Sequence, residues 1–141
     1  MILLDTDVLS ALMRPRPDPA VVDWLDRQPT RDVFTTAINV FELRYGIAQL
    51  PSRARCRQLQ TAFEAIFAKE LLGHVVGFDR EAAEAAAVLL ARRRSEGRPT
   101  GQQDGMIAGI AIARRATVAT HNVRHFADAG VPVINPWTAT A

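Results

Sequence analysis

Short apolar runs alternate along this chain with stretches of helical periodicity, and that alternation restricts the fold to one class. Residues 2–5, 32–36, 74–78, 117–120 and 131–135 are apolar or β-branched runs closed by turn residues, and each reads as a strand. Helical segments, single or paired, lie between them. Strands joined in this way imply α/β architecture, a mostly parallel sheet of about five strands covered on both faces. Crossovers of this length are right-handed. No repeat, linker or low-complexity segment divides the sequence, so residues 1–141 are expected to form one domain with a real core.

The helical segments carry their own start and stop signals. Thr6 is placed to cap a short helix over Asp7 to Met13, and Arg14-Pro15-Arg16-Pro17 breaks it. Asp18 caps the next helix, with Pro19 in its first turn. From about Ile38 to Leu50, the residues Val40, Leu43, Ile47 and Leu50 form one core-facing stripe. Phe41, Tyr45 and Ala48 form a second apolar side, which fits either burial within the monomer or a groove covered by a partner. Cys56, Leu59, Phe63, Ile66 and Phe67 line a further helix that stops at Gly73, so the two helices read as a hairpin. Asp79 caps a helix that ends in Arg92-Arg93-Arg94. A helix over 102–115 is apolar nearly all round from Met106 to Ala113 and should be deeply buried. Its Gly101, Gly105 and Gly109 recur every four residues, a pattern for close packing.

Composition excludes several classes of function. The lone Cys56 rules out an internal disulfide, fits a reducing compartment and is expected to be a buried thiol. Ile-Leu-Leu-Asp after Met1 is no basic n-region, so no signal peptide is read. The longest apolar run, Gly105 to Ala113, is too short to span a bilayer, and a soluble, cytoplasmic protein is expected. A formal charge of +2 gives no argument for nucleic acid by itself. Walker and G-x-G-x-x-G loops are absent, and neither Ser10 nor Ser52 sits in a nucleophile elbow. His74, His121 and His125 lack Cys partners and the spacing of a zinc site.

Most acidic residues have capping or helix-surface roles, and four polar positions stand apart from them. Asp5 ends the first strand, which places it at the sheet edge where open α/β folds bind ligands. Glu42 lies off the aliphatic stripe of its helix, and Gly46 one turn later leaves space beside it. Asp104 opens the most apolar helix, and Asn122 follows the fourth strand. Asp7 stands two residues from Asp5, and two close carboxylates repel unless a cation or a proton sits between them. Such a set suits a hard divalent cation, Mg²⁺ or Mn²⁺, which takes oxygen ligands and few carboxylates. That chemistry serves phosphodiester hydrolysis. Each residue also has a plainer role: a turn at Asp5 or Asn122, a dipole-favoured start at Asp104, a surface partner for Arg44 at Glu42. Arg44 and Arg124 are candidates for a phosphate backbone, Arg124 the better one because it follows strand four near Asn122. Arg92 to Arg94 and Arg114 read as solvated helix-end cations.

These segments together resemble the PIN-domain family. Ile2-Leu3-Leu4-Asp5-Thr6-Asp7 resembles its opening, and Val40-Phe41-Glu42-Leu43-Arg44-Tyr45-Gly46-Ile47 its Glu-Leu-x-x-Gly helix. Gln103-Asp104-Gly105-Met106-Ile107-Ala108 resembles its Asp-x-x-Ile-Ala segment. Residues 119–126, Ala-Thr-His-Asn-Val-Arg-His-Phe, resemble its Thr-x-Asn/Asp-x-x-x-Phe segment, and Asn135-Pro136-Trp137 also fits. The order is the family's and covers the whole chain; VapC-type toxins of the FitB-like branch are the nearest group. The resemblance implies a three-layer α/β/α fold and a metal-dependent endoribonuclease, the toxin of a type II toxin–antitoxin pair. It implies Mg²⁺, with Mn²⁺ able to substitute, held by Asp5, Asp104 and Glu42, the last directly or through water. Thr6 and Thr120 are implied as hydrogen-bonding support, with Asp7 and Asn122 beside them. The family's fourth position is often acidic, so Asn122 leaves one fewer charge. Implied partners are a homodimeric copy, a structured RNA substrate such as tRNA, and an antitoxin that covers the site. DNA is reached only through the antitoxin, and no membrane is involved.

Two other readings share these residues. In one, the protein is a catalytically weak partner of a DNA-binding antitoxin that acts in transcriptional regulation. In the other, the acidic site serves a small-molecule phosphatase or hydrolase.

Overall fold

The computed structural model describes residues 1–139. Among these, five strands form one all-parallel sheet: β1 (Ile2–Leu4), β2 (Val33–Thr36), β3 (Val75–Val76), β4 (Thr117–Ala119) and β5 (Val133–Ile134), in the order β3-β2-β1-β4-β5. The helices are α1 (Thr6–Leu12), α2 (Pro19–Asp26), α3 (Ala37–Ala48), α4 (Arg53–Lys69), α5 (Arg80–Ser95) and α6 (Gln102–Arg114). The strands are shorter than their apolar runs. At the sheet edge, the His74 carbonyl still accepts from Thr35 N at 3.1 Å while its ring stacks on Phe34 at 4.4 Å, and residues 77–79 turn toward the Asp79 cap of α5.

Period-two alternation in β1 sorts the core into two layers. Leu4 packs with α1–α4 on one face of the sheet, and Leu3 packs with α5 and α6 on the other. Their neighbours in β4 alternate in step, since Leu3 pairs with Val118 and Leu4 with Ala119. Each of the two leucines is fully buried, a gain of roughly 1.5–3 kcal/mol apiece. The result is the expected three-layer α/β/α arrangement with β1 at its centre.

α3 follows β2 with no intervening loop. Thr36 ends the strand and caps the helix: Asn39 N donates to Thr36 Oγ1 at 3.1 Å, and Thr36 N donates to Asn39 Oδ1 at 3.3 Å. Ile38 belongs to the α5/α6 side while Leu43 and Ile47 belong to the other, so α3 crosses over the end of the sheet. It stops at Ala48, short of the expected Leu50. Phe41 and Tyr45 are 52% and 56% exposed and stack on each other at 5.6 Å. Burial within the monomer is thereby excluded for them. Gly46 is exposed on the same helix, and a Cβ there would meet nothing within 4 Å. Gly46→Ala is expected to raise stability by about 1 kcal/mol, read as a higher thermal midpoint, because only helix propensity changes.

The opposite holds between α5 and α6. An added Cβ at Gly105 would run into the Leu90 side chain, and one at Gly109 would lie 2.7 Å from Ala86 Cβ and against the Ala82 carbonyl. Gly105 and Gly109 therefore mark helix contact, as expected, whereas Gly101 is the exposed cap of α6 and meets no neighbouring helix. Arg93 overturns its reading as a solvated cation. It is 1% exposed, because its guanidinium is satisfied by Asp128, Thr100 and the His125 carbonyl. Arg92 and Arg114 are also engaged, with Asp128 and Asp79. Cys56 is half-buried rather than buried, its Sγ donating to the Ile47 carbonyl at 3.2 Å. Among the described residues, no helix is long and apolar enough to cross a membrane.

Candidate active site

Neighbouring parallel strands end at one edge and deliver Asp5, Thr36 and Thr120 there. The edge lies where the strand order reverses. From β1 the chain moves outward through β2 to β3, then returns to β4 on the other side of β1. Open α/β sheets bind ligands in the crevice at such a reversal. The two sides are tied there by Asp5 N, which donates to the Ala119 carbonyl at 2.9 Å.

Asp5 is 7% exposed and caps α1, accepting from Thr6 N at 2.8 Å. The expected cap, Thr6, is instead the first helical residue, because the strand ends one residue earlier than its apolar run suggested. Asp5 Oδ1 also accepts from Asn39 Nδ2 at 3.1 Å, and Oδ2 accepts from Thr120 Oγ1 at 2.8 Å. Burial pushes the Asp5 carboxyl up to about 6, and the charges of Asp7 and Asp104 add to the rise. The hydrogen bonds from Thr120 and Thr6 oppose it without cancelling it.

Asp7 sits one step further out. Its Oδ2 accepts from His121 N at 2.9 Å, Thr120 Oγ1 at 3.2 Å and Asn122 Nδ2 at 3.4 Å. The single hydroxyl proton of Thr120 thus lies between two carboxylates. Asp7 Oδ1 is buried and, among the described residues, has no donor. Glu42 approaches from α3, half-buried, with Oε1 accepting from Thr6 Oγ1 at 2.9 Å. Burial raises its carboxyl above the ordinary range, eased by the Thr6 bond and reinforced by the charge of Asp104. Asp104, in the first turn of α6, has Oδ2 3.1 Å from His125 Nδ1.

The set is therefore electrostatically joined but not closed. Among the described residues, no ion pair involves Asp5, Asp7 or Glu42. Nor do three His, Cys, Asp or Glu side chains converge tightly enough to enclose an ion. The carboxylates rim a crevice. Their chemistry nonetheless fits a hard divalent cation: the donors are oxygens, one buried oxygen lacks a partner, and such ions keep several waters.

The expected substrate contacts separate. Arg124 is exposed, and among the described residues its side chain has no partner. Arg44 is turned toward α4, where its Nη2 lies 2.6 Å from Glu64 Oε1 and its guanidinium lies over the Phe63 ring at 4.4 Å. Both contacts lie within the α3–α4 hairpin.

Four residues were missed by sequence reasoning. Asn39 is fully buried and donates to both Asp5 and Thr6 Oγ1, the latter at 3.0 Å. Its signal was present: the Thr36-x-x-Asn39 capping spacing, one turn ahead of Leu43 on the buried face. His125 sits against Asp104. Arg14 and Arg55 line a groove of about 330 Å³ that runs from Thr6 and Glu42 past Gly46 toward α4. Nothing local in the sequence brings Arg14 and Arg55 to one groove; the tertiary fold does.

The chain is similar to known proteins along nearly its whole length. The family model described as PIN domain matches residues 2–131. The VapC ribonuclease Y4jK of Sinorhizobium fredii is 39% identical over 137 residues, which is 97% of this chain and 98% of that protein. Toxin FitB of Neisseria gonorrhoeae is 37% identical over 137 residues, 97% of this chain and 99% of that protein. The solved structure of FitAB bound to an IR36 DNA fragment aligns with a TM-score of 0.87 at 35% identity, covering 100% of this chain and 99% of that one.

Proposed function

Because the chain belongs to the PIN-domain family and its relatives include a VapC ribonuclease and the toxin FitB, we propose that it is a metal-dependent endoribonuclease, the toxin of a toxin–antitoxin pair. One observation carries the metal dependence. Asp5 is a buried carboxylate at the sheet's reversal point, pushed up to about 6, with Asp7 and Asp104 acting on it and no cationic partner among the described residues. A divalent cation resolves that excess of negative charge.

Asp5 and Asp104 would hold the cation, with Glu42 binding directly or through water. Such a cation supplies charge neutralisation at a phosphate during in-line displacement. The chain's own residues do the rest. Asn39 and Thr120 fix both oxygens of Asp5, and Thr6 fixes Oε1 of Glu42, which leaves Oε2 to take a proton from the attacking water. Arg124 meets the RNA backbone, and structured RNA such as tRNA is the expected substrate class. Partners on this reading are a second copy of the chain and an antitoxin laid over the site, with DNA reached through the antitoxin. The likeness to FitAB bound to DNA supports that assembly.

The test is cleavage of a panel of RNAs, tRNA included, by purified protein with Mn²⁺ or with EDTA. Cleavage is expected with Mn²⁺ and not with EDTA, and Glu42→Gln should lower it by about a hundredfold or more. Binding of antitoxin and DNA without metal-dependent cleavage would instead make the protein a regulator. Asp7→Asn is expected to weaken Mn²⁺ binding by about tenfold, measured by calorimetry, because Asp7 acts beside Asp5. Adding Asn122→Asp to it should recover part of that loss, since Asn122 Nδ2 lies 3.4 Å from Asp7 Oδ2.

A further inference from the structure

We propose that Arg93 is a positioning residue for the Asp104 side of the site. The inference rests on the metal-nuclease reading above. Arg93 lies in the last turns of α5, away from the crevice, yet it is 1% exposed and every nitrogen of its guanidinium is used. Nε and Nη2 donate to the two Asp128 carboxylate oxygens at 3.0 and 2.6 Å. Nη1 donates to Thr100 Oγ1 at 2.9 Å, and Nη2 also donates to the His125 carbonyl at 2.8 Å.

Those last two contacts define the role. Thr100 lies just ahead of α6, whose first turn carries Asp104, and the Gly101 cap has no side chain to fix that start. His125 supplies the ring nitrogen 3.1 Å from Asp104 Oδ2, and that ring is the one side-chain partner of Asp104 among the described residues. Both segments that orient Asp104 are therefore fastened to one buried guanidinium. Asp128 aligns the fork, as an outer carboxylate aligns a metal-ligating group. Only a planar, multiply donating group reaches three acceptors on different segments at once.

Arg93→Lys keeps the charge and removes the fork. In protein shown folded by circular dichroism, it is expected to lower Mn²⁺ affinity and kcat by about tenfold with RNA KM unchanged. Thr100→Val cuts a single tether on an exposed residue and is expected to shift both in the same direction by a smaller factor. It serves if the lysine variant does not fold. A double-mutant cycle on Mn²⁺ affinity supplies the readout that a general structural role would not give. In an Asp104→Asn background, Arg93→Lys should change affinity less than about twofold, because its effect runs through Asp104. Fully additive losses overturn the positioning role, as does a folded Arg93→Lys or Thr100→Val with wild-type affinity and kcat. Wild-type protein that neither binds Mn²⁺ nor cuts RNA overturns the metal-nuclease reading itself, and this proposal with it.

Discussion

Asp5→Asn is expected to abolish RNA cleavage and, in metal-free buffer, to make the protein more stable. The loss of activity should reach at least about a thousandfold, which is about 4 kcal/mol of barrier. The gain in stability follows from the same carboxylate. Its pKa lies at about 6 in the folded chain against an ordinary value of 3.8. Between those two values the folded chain holds a proton that the unfolded chain has released. Stability from this group therefore falls as pH rises through that window, and above about pH 6 the ionised Asp5 costs roughly 3 kcal/mol. Asparagine carries no charge to bury and keeps the cap. Its Nδ2 can donate to Thr120 Oγ1, which then gives its own proton to Asp7 Oδ2, already 3.2 Å away. Thermal melts in EDTA should place the variant above the wild type at pH 7.5 and close to it at pH 4. Added Mn²⁺ should raise only the wild type. Cleavage at the wild-type rate, or a variant less stable in EDTA at pH 7.5, would refute the account of Asp5.

The second large effect lies away from the chemistry. Gly109→Val is expected to cost at least about 3 kcal/mol and to lower the thermal midpoint by roughly 10 °C, or to prevent folding. The new Cβ meets the backbone of α5 at the Ala82 carbonyl and at Ala86 N, 2.9 Å away, and neither is the flexible end of a side chain. α6 would have to move off α5, taking Asp104 with it. A variant that melts near wild type would show that the two helices separate without penalty.

How far the sequence reaches is visible in particular residues. Asp5 was legible because a short apolar run that stops at an acid has one reading in a parallel sheet, a side chain at the functional edge. Strand order was not written locally. The contacts of Thr120 with Asp5 and Asp7 depend on β4 lying next to β1, and no pattern within either strand states that. Glu42 was legible as the odd polar residue of an apolar helix, whereas Asn39 passed unnoticed because a polar residue in a helix's first turn usually serves the cap and does nothing more. Arg93 was misread for a related reason. Helix-end arginines are ordinarily solvated, and its partners, Thr100, His125 and Asp128, are revealed only when the turn after β4 folds back over α5. Phe41 and Tyr45 have the pattern of a buried side but are exposed, since pattern reports apolarity and not what covers it.

The hydrogen bond from Thr120 to Asp5 closes a separation of 115 positions. During synthesis, Asp5 leaves the ribosome 115 residues before Thr120. Until β4 slides in beside β1, the growing chain has no crevice, no Thr120 hydroxyl on Asp5 and no Asp104 facing Glu42. Pairings this distant in sequence also form slowly. The site is thus acquired only after β4 has been made and has paired with β1, a delay set by topology alone.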